Sequence, residues 1–425
     1  MTNPELLQLL RSEVIPAIGC TEPIAVALCT ARAKELLGAE PDSITVHLSK
    51  NVYKNALAVG IPNTGMTGLP IAIALGATVG KSEYMLEVLR DATPEAVAYA
   101  KAYMLRVPAT IKVDYEAPSL LYIHVEVSSN GQTAQATIMD EHTHFVEPGT
   151  RKQESISIGE IETKENTLSL RRVYDFAASV DTTELTFLLE GAEMNTAAAE
   201  TSFADQYGHG LGRLLRANTL TATPEMEKLF GNTLFTKIIS YTCGACDARM
   251  SGAMVQVMSN SGSGNQGISC SIPVYLYAKE NNCTAEQTLR ALALSNLTVI
   301  YIKQSLGRLS ALCGCVVAAT GSAAGITYLM GGTYDEITYA IKNMIANISG
   351  MICDGAKPGC ALKVTSGVAT AIFSAYLAMQ HSYADSTEGI VEDDIDRTIR
   401  NLTRIGHDGM KVTDDLILDI MTHKQ

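Results

Sequence analysis

Ten cysteines in 425 residues set the chemical question. Cys353 and Cys360 bracket "CDGAKPGC", a glycine- and proline-interrupted stretch that lets both thiols turn toward one point. Cys313 and Cys315 fall in "SALCGCVVAA", Cys243 and Cys246 in "YTCGACDARM", and Cys20 in "AIGCTEP". Cys29, Cys270 and Cys283 stand alone and read as small buried hydrophobes. Two thiols from the glycine-rich loop plus one from "ALCGC" would make a three-thiolate site. Soft thiolates suit iron–sulfur clusters, zinc or Cu(I), with packed structural thiols as the plainer alternative. A cluster with three protein ligands leaves one metal corner open to substrate, as catalytic metals do. Only Cys243 and Cys246 have C-x-x-C spacing. Without a second knuckle, a nearby histidine or a βαβ context, they read as packed thiols near a helix start.

Other polar groups would have to meet the substrate. "SNSGSGNQG" does not fit G-x-G-x-x-G and has no clear strand leading in. Its Ser261, Ser263, Asn265 and Gln266 are candidates for an anion nest around a carboxylate, against the alternative of a flexible turn. "LSKNVYKN" and "NTGMTG" add Lys50, Asn51, Lys54 and Asn63, the lysines being equally readable as solvated surface charges. Lys357 lies inside the Cys353–Cys360 loop and is expected to act electrostatically there. His209, His407 and the pair His142/His144 have no supporting partner in sequence. They read as surface or polar-core residues, "EHTHF" lying far along the chain from the cysteine motifs.

A net charge of −13 and pI near 5.1 argue against a nucleic-acid or anionic-membrane surface. The N-terminus "MTNPELLQLLRSEV" lacks the basic-then-apolar layout of a signal peptide, so a cytoplasmic location with reduced thiols is expected. Ser251–Ala278, Leu309–Tyr334 and Val364–Gln380 carry no charged residue. Their Gly, Ser, Thr, Asn and Ala content predicts buried helices around an interior site rather than membrane spans.

Residues 3–13 and 22–37 read as helices broken by a turn at Pro16–Pro23, with Pro23 near a helix first turn, where proline is tolerated. Between about 43 and 160, "SITVHLSKN", "ATIKVDYE", "LLYIHVEVSSNGQTAQATIMD" and "THFVEP" read as strands, with a hairpin at Asn130-Gly131. The stretch 84–106 reads as helical, and from about 180 onward the helical period dominates. The expected fold is α+β. A mainly helical catalytic domain is built from residues 1–40 and 165–425, and an α+β domain with an antiparallel or mixed sheet is inserted at 41–164.

"AIGCTEPIAVAL", "SNSGSGNQGI", "GRLSALCGCVVAATGSAAGI" and "NISGMICDGAKPGCALK" resemble the L-cysteine desulfidase family, which is related to the α-chain of iron–sulfur L-serine dehydratases. The likeness runs from about residue 10 to 420. It implies an oxygen-sensitive 4Fe–4S cluster in place of pyridoxal phosphate (no PLP), and conversion of L-cysteine to pyruvate, ammonia and hydrogen sulfide. It puts cluster ligands on Cys353 and Cys360. The third ligand falls on Cys313, from its distance to the following Gly-Gly pair, with Cys315 as the alternative. It makes Cys20 the proton-abstracting residue. The position of Cys20 ahead of a helix start, where N–H groups and dipole favour a thiolate, agrees with that role. The spacing of seven between the last two cysteines and the ending "LDIMTHKQ", without a later cysteine, favour the desulfidase branch over the serine dehydratases. A small amino-acid substrate, no nucleic-acid or membrane partner, and a homo-oligomer (dimer) are expected. A non-catalytic metal or redox sensor is the alternative from another class.

Overall fold

Val46, Leu48, Ile123, Val125, Val127 and Ile138 are buried at alternate positions, the period of strands with one face on a core. The computed structural model describes residues 1–147, 168–221 and 223–424. In its first part α1 (Asn3–Glu13), β1 (Pro16–Ile18) and α2 (Thr21–Leu37) precede β2 (Ser43–Ser49), α3 (Lys50–Ala56), α4 (Leu69–Thr78) and α5 (Pro94–Arg106). Strands β3 (Thr110–Asp114), β4 (Tyr122–Ser129), β5 (Gln132–Met139) and β6 (Phe145–Val146) complete a mixed sheet ordered β3-β2-β4-β5-β6. Its β2–β3 pair is parallel and its other pairs are antiparallel. Asn130 and Gly131 both take positive φ in the β4–β5 turn, as an Asn-Gly hairpin requires. The helix expected over 84–106 is confined to α5. Pro94 starts it behind the cap Thr93, and Met85 at φ 50° breaks the preceding 3₁₀ turn.

The second part is helical: α6 (Leu170–Ser179), α7 (Thr186–Ala204), α8 (Leu211–Thr221), α9 (Pro224–Phe230), α10 (Leu234–Met250), then β7 (Gln256–Met258). It continues through α11 (Gly264–Glu280), α12 (Ala285–Leu306), α13 (Gly314–Leu329), α14 (Tyr334–Ile348), α15 (Cys360–Met379), α16 (Ile395–Arg404) and α17 (Lys411–Thr422). Helix α13 is central, buried from Cys315 to Thr327 and packed on α11, α12, α14 and α15. Its small side chains let those neighbours approach closely. Helix α15, expected to be buried, keeps one apolar face outward through Leu362, Phe373, Tyr376 and Leu377. By length and composition it alone among the described helices is long and apolar enough to cross a membrane.

Two apolar cores result, one among the helices and one between the sheet and α2, α4 and α5. The segment 1–40, expected to join the helical part, divides between them. Leu6 and Leu10 of α1 enter the helical core, while α2 covers β4 and β5, because nearly every residue from Thr21 to Ala33 is apolar or small enough to be buried there. The expected boundary at 164/165 lies outside the described residues. A two-stranded ribbon ties the parts together: β1 pairs antiparallel with β7, Pro16 opposite Met258. Since β1 leads into Cys20 and β7 into Ser259–Gly267, this pairing sets "GCTEP" beside "SNSGSGNQG". The strand expected to be missing before the second motif is β7.

Candidate active site

Four helices begin at one cavity of about 100 Å³. Cys20 is the N-cap of α2, Ser263 of α11 and Cys313 of α13, while Cys360 is the first residue of α15. None of the four has a side-chain cap, and their positive dipole ends favour an anion at the cavity, although the first N–H groups of α15 already donate to Lys357 O, Pro358 O and Gly359 O.

The thiol wall comprises Cys313, Cys315, Cys353 and Cys360. A short ladder fixes two of them. Cys313 N–H donates to Met351 O at 2.9 Å, and Cys353 N–H to Ala311 O at 2.7 Å, around the bridge Leu312–Ile352. Gly355, at φ 85°, lets the loop turn, and a Cβ there would lie 2.6 Å from Lys54 O. Cys360 N–H closes the turn onto Lys357 O at 2.9 Å. The Cys315 thiol approaches Met351 Sδ at 3.1 Å and also Cys313, which it holds down to about 7 against burial; Cys315 itself is pushed up. Burial raises the Cys353 thiol to about 11 and lifts Cys360 as well. Among the described residues no three His, Cys, Asp or Glu side chains stand close enough to share a single metal ion.

Cys20 and Glu22 line the same cavity. Cys20 Sγ donates to Glu22 Oε2 at 3.3 Å, Thr21 Oγ1 to the same oxygen at 3.0 Å, and Asn55 Nδ2 to Oε1 at 3.0 Å. Burial pushes the Glu22 carboxyl up, but nearby His142 and the donors from Cys20, its own backbone and Thr21 outweigh it and hold it low. The thiolate expected at Cys20 is disfavoured: burial and the adjacent Glu22 charge raise the thiol well above its usual range, overriding Arg249 and the helix end.

Of the nest residues, Ser263, Asn265 and Gln266 line the cavity, while Ser261 turns away to Asn260 Oδ1 at 2.8 Å. Asn51 is buried outside the cavity and donates to the Asp414 carboxylate. Lys357 faces Asp354 at 2.5 Å rather than the cavity, and Asn63 donates to Ala92 O at 2.9 Å. Lys54, read as a carboxylate binder or a solvated charge, is instead buried in an ion pair with Asp414, and Lys50 pairs with Asp415. Cys243 and Cys246 are fully buried in the middle of α10, and Cys283 is half-buried. His142 is not remote from the motifs: it is buried near Glu22 and against Gly262, its Nε2 without a partner.

Among the charged and amide side chains that line the cavity, Glu22, Asn55 and Arg249 escaped the reading of the sequence. Arg249 is 2% exposed; Nη1 donates to Asn265 Oδ1 at 2.9 Å, while Nε and Nη2 have no partner. Asn55 Oδ1 and Gln266 Oε1 are likewise unpartnered. The signal for Arg249 was present: a cation closing a largely apolar helix, with no acid three or four residues away in either direction.

The Serine dehydratase alpha chain family matches residues 83–419, which include Arg249 and the thiol wall but not Cys20, Glu22 or Asn55. Those three lie within longer likenesses. The chain is 56% identical over 426 residues to a UPF0597 protein of Phocaeicola vulgatus, covering 99% of this chain and 98% of that one. It is 48% identical over 435 residues to a UPF0597 protein of Porphyromonas gingivalis, covering 100% and 99%. A UPF0597 protein of Shewanella pealeana is 41% identical over 434 residues, covering 99% of both chains. With its thiols, helix ends and matched length taken together, the chain belongs to the family of the serine dehydratase α-chain.

Proposed function

We propose that this protein is a PLP-independent, 4Fe–4S-dependent lyase that converts L-cysteine and water to pyruvate, ammonia and hydrogen sulfide. The observation that carries the reading is the convergence of Cys313, Cys353 and Cys360 on a cavity where four helices start without side-chain caps, with Cys20 in the same lining. The donor set fits the group. Cluster ligands are thiolates bound to different irons and stand further apart than the ligands of a single ion, and helix N-termini favour the cluster's negative charge. Cys313, Cys353 and Cys360 would hold it. When bound, the cluster supplies a Lewis-acidic iron with one position free for the leaving sulfur.

The remaining steps belong to side chains. Cys20 Sγ–H passes its proton to Glu22, which Thr21 and Asn55 hold in place, and the thiolate takes the α-proton of the substrate. The Cα–H electrons form the Cα=Cβ bond as the Cβ–S bond breaks, and the proton held on Glu22 goes to the departing hydrosulfide, which leaves as hydrogen sulfide while Glu22 returns to the carboxylate. The resulting enamine tautomerises, and water releases ammonia and leaves pyruvate. L-serine, losing water at the same carbon, is the second reading, favoured by the family's name.

The test is anaerobic purification with iron and sulfide quantification, followed by incubation with each amino acid. About four irons per chain with pyruvate and sulfide released from L-cysteine is the expected result. Pyruvate from L-serine alone selects the dehydratase reading. Bound iron with no product from either amino acid would select a sensor and end the proposal.

A further inference from the structure

The cavity contains two sets of buried polar atoms with nothing opposite them, and the sets are opposite in character. The donor set is Arg249 Nε and Nη2. Among the described residues no hydrogen bond or ion pair of this guanidinium reaches a carboxylate; its contacts are Asn265 Oδ1 and, at 3.3 Å, Met250 Sδ. Arginine stays charged, and a buried charge without a counter-charge is strongly disfavoured, so an anion from outside is the missing partner. Gly264 places it: a Cβ there would lie 2.3 Å from Arg249 Nε, so the guanidinium rests against the first turn of α11. That turn has no side-chain cap. Two positive groups lie side by side and need an anion between them.

The acceptor set is Asn55 Oδ1 and Gln266 Oε1, both buried and both on the cavity wall. The Asn55 amide cannot be turned over, because its Nδ2 must face the acceptor-only Glu22 carboxylate. Its oxygen therefore waits for a donor. The negative charge of Glu22 lies on the same side.

We propose that these groups form a subsite for the zwitterion of an α-amino acid. Arg249 and the first turn of α11 take the α-carboxylate, and Asn55 Oδ1 with Gln266 Oε1 takes the α-ammonium. This deepens the amino-acid lyase reading and rests on it for the identity of the cavity as a substrate site. The ligand class is a small amino acid with both ends free, which leaves the thiol wall for its side chain. Amides, esters and peptide-linked residues lose one charged contact and are rejected.

The test uses calorimetric titration of the cluster-loaded protein under anaerobic conditions. The probes are L-alanine, which has no β-leaving group, L-alaninamide, which lacks the carboxylate, and propionate, which lacks the ammonium. L-alanine is expected to bind on the order of 100-fold more tightly than either analogue. In Arg249→Met, L-alanine should fall to the level of L-alaninamide without loss of melting temperature, since the charge removed was unpaired. In Gln266→Leu it should move toward propionate. L-alaninamide within tenfold of L-alanine, no binding of L-alanine, or undiminished L-alanine affinity in Arg249→Met would each overturn the subsite. If Arg249→Met does not fold, the wild-type ligand series decides alone. Discrimination without turnover of L-cysteine or L-serine retires the elimination reading and keeps the subsite. Turnover without discrimination retires the subsite only.

Discussion

Cys20 Sγ lies 3.3 Å from Glu22 Oε2, a thiol donating to a carboxylate two residues ahead in the first turn of the same helix. The helix end alone would favour a thiolate, but burial and the neighbouring charge favour the thiol, and they win. Proton transfer within the pair moves no proton to solvent. The reactive form, thiolate beside carboxylic acid, then has the same proton count as the resting form, thiol beside carboxylate.

This relationship sets a pH signature. Wild-type kcat should be flat across neutral pH and fall only in acid, where Glu22, held below the usual carboxylate range, protonates. In Glu22→Gln the Cys20 proton must leave to solvent, so log kcat should rise with pH at a slope near one and lie on the order of 10²–10⁴-fold below wild type at neutrality. Cys20→Ala should keep the cluster's visible absorbance, lose turnover by a similar factor, and lose exchange of the L-alanine α-hydrogen in deuterated water. A Cys20→Ala protein that lost its iron would make Cys20 a ligand and end its role as base.

The thiol wall predicts a division among cysteines. Cys353→Ser, Cys360→Ser and Cys313→Ser should each bleach the reconstituted protein, since two thiolates hold a cluster poorly. Cys315→Ser should keep its colour, the Cys315 thiol already being engaged with Met351 Sδ. Colour lost from Cys315→Ser and kept by Cys313→Ser would move the ligand by two residues. Cys243→Ser and Cys246→Ser, neither of which lines the cavity, should keep both colour and activity.

How legible this was depends on what each residue answers to. The hairpin at Asn130-Gly131 and the ends of α1 and α2 follow from local backbone preferences, and the sequence carries those openly. The cysteines that line the cavity were legible because thiols are few and chemically distinctive. Glu22, Asn55 and Arg249 were not, because each gains its meaning from partners far along the chain: Asn55 reaches Glu22 across 33 positions, Arg249 reaches Asn265 across 16. Lys54 was misjudged for the same reason, and His142, read as surface or polar core and found in the core, was set too far from the motifs. Ordinary surface residue types, they are carried inside by an ion pair 360 positions distant and by the packing of the β5–β6 hairpin on the motif loop.

His142 makes stability depend on pH. Burial lowers its pKa from 6.5 to about 4 despite Glu22, with Arg308 and Lys303 adding to the effect and Glu141 opposing it. An unfolded chain takes up this proton below pH 6.5, while the folded chain refuses it until about 4. Stability is therefore full above 6.5 and is lost as pH falls toward 4, by ~3 kcal/mol at ~1.36 kcal/mol per pH unit. Denaturant unfolding of wild type and His142→Gln across that window should show the variant with the shallower decline. Parallel curves would assign the acid sensitivity to other groups.

The C-terminal helix α17 reaches the cluster loop through one buried ion pair. Asp414 receives Lys54, whose side chain is 2% exposed, and also Asn51, while Lys54 Nζ lies 3.4 Å from the carbonyl of Cys353. Removing one partner strands a charge in the interior, so Asp414→Asn should cost about 3–5 kcal/mol in unfolding free energy. Replacing both, as Lys54→Met with Asp414→Leu, should recover most of that loss, because an apolar pair of similar volume has no charge to desolvate. The recovery should not extend to the metal site. With Lys54 gone, the loop holding Cys353 loses its charged contact to α3, and the cluster's visible absorbance should decay faster in air than in wild type. Equal decay would show that the ion pair serves the fold alone. A double variant no more stable than Asp414→Asn would show that Lys54, not its unpaired charge, is what the interior requires.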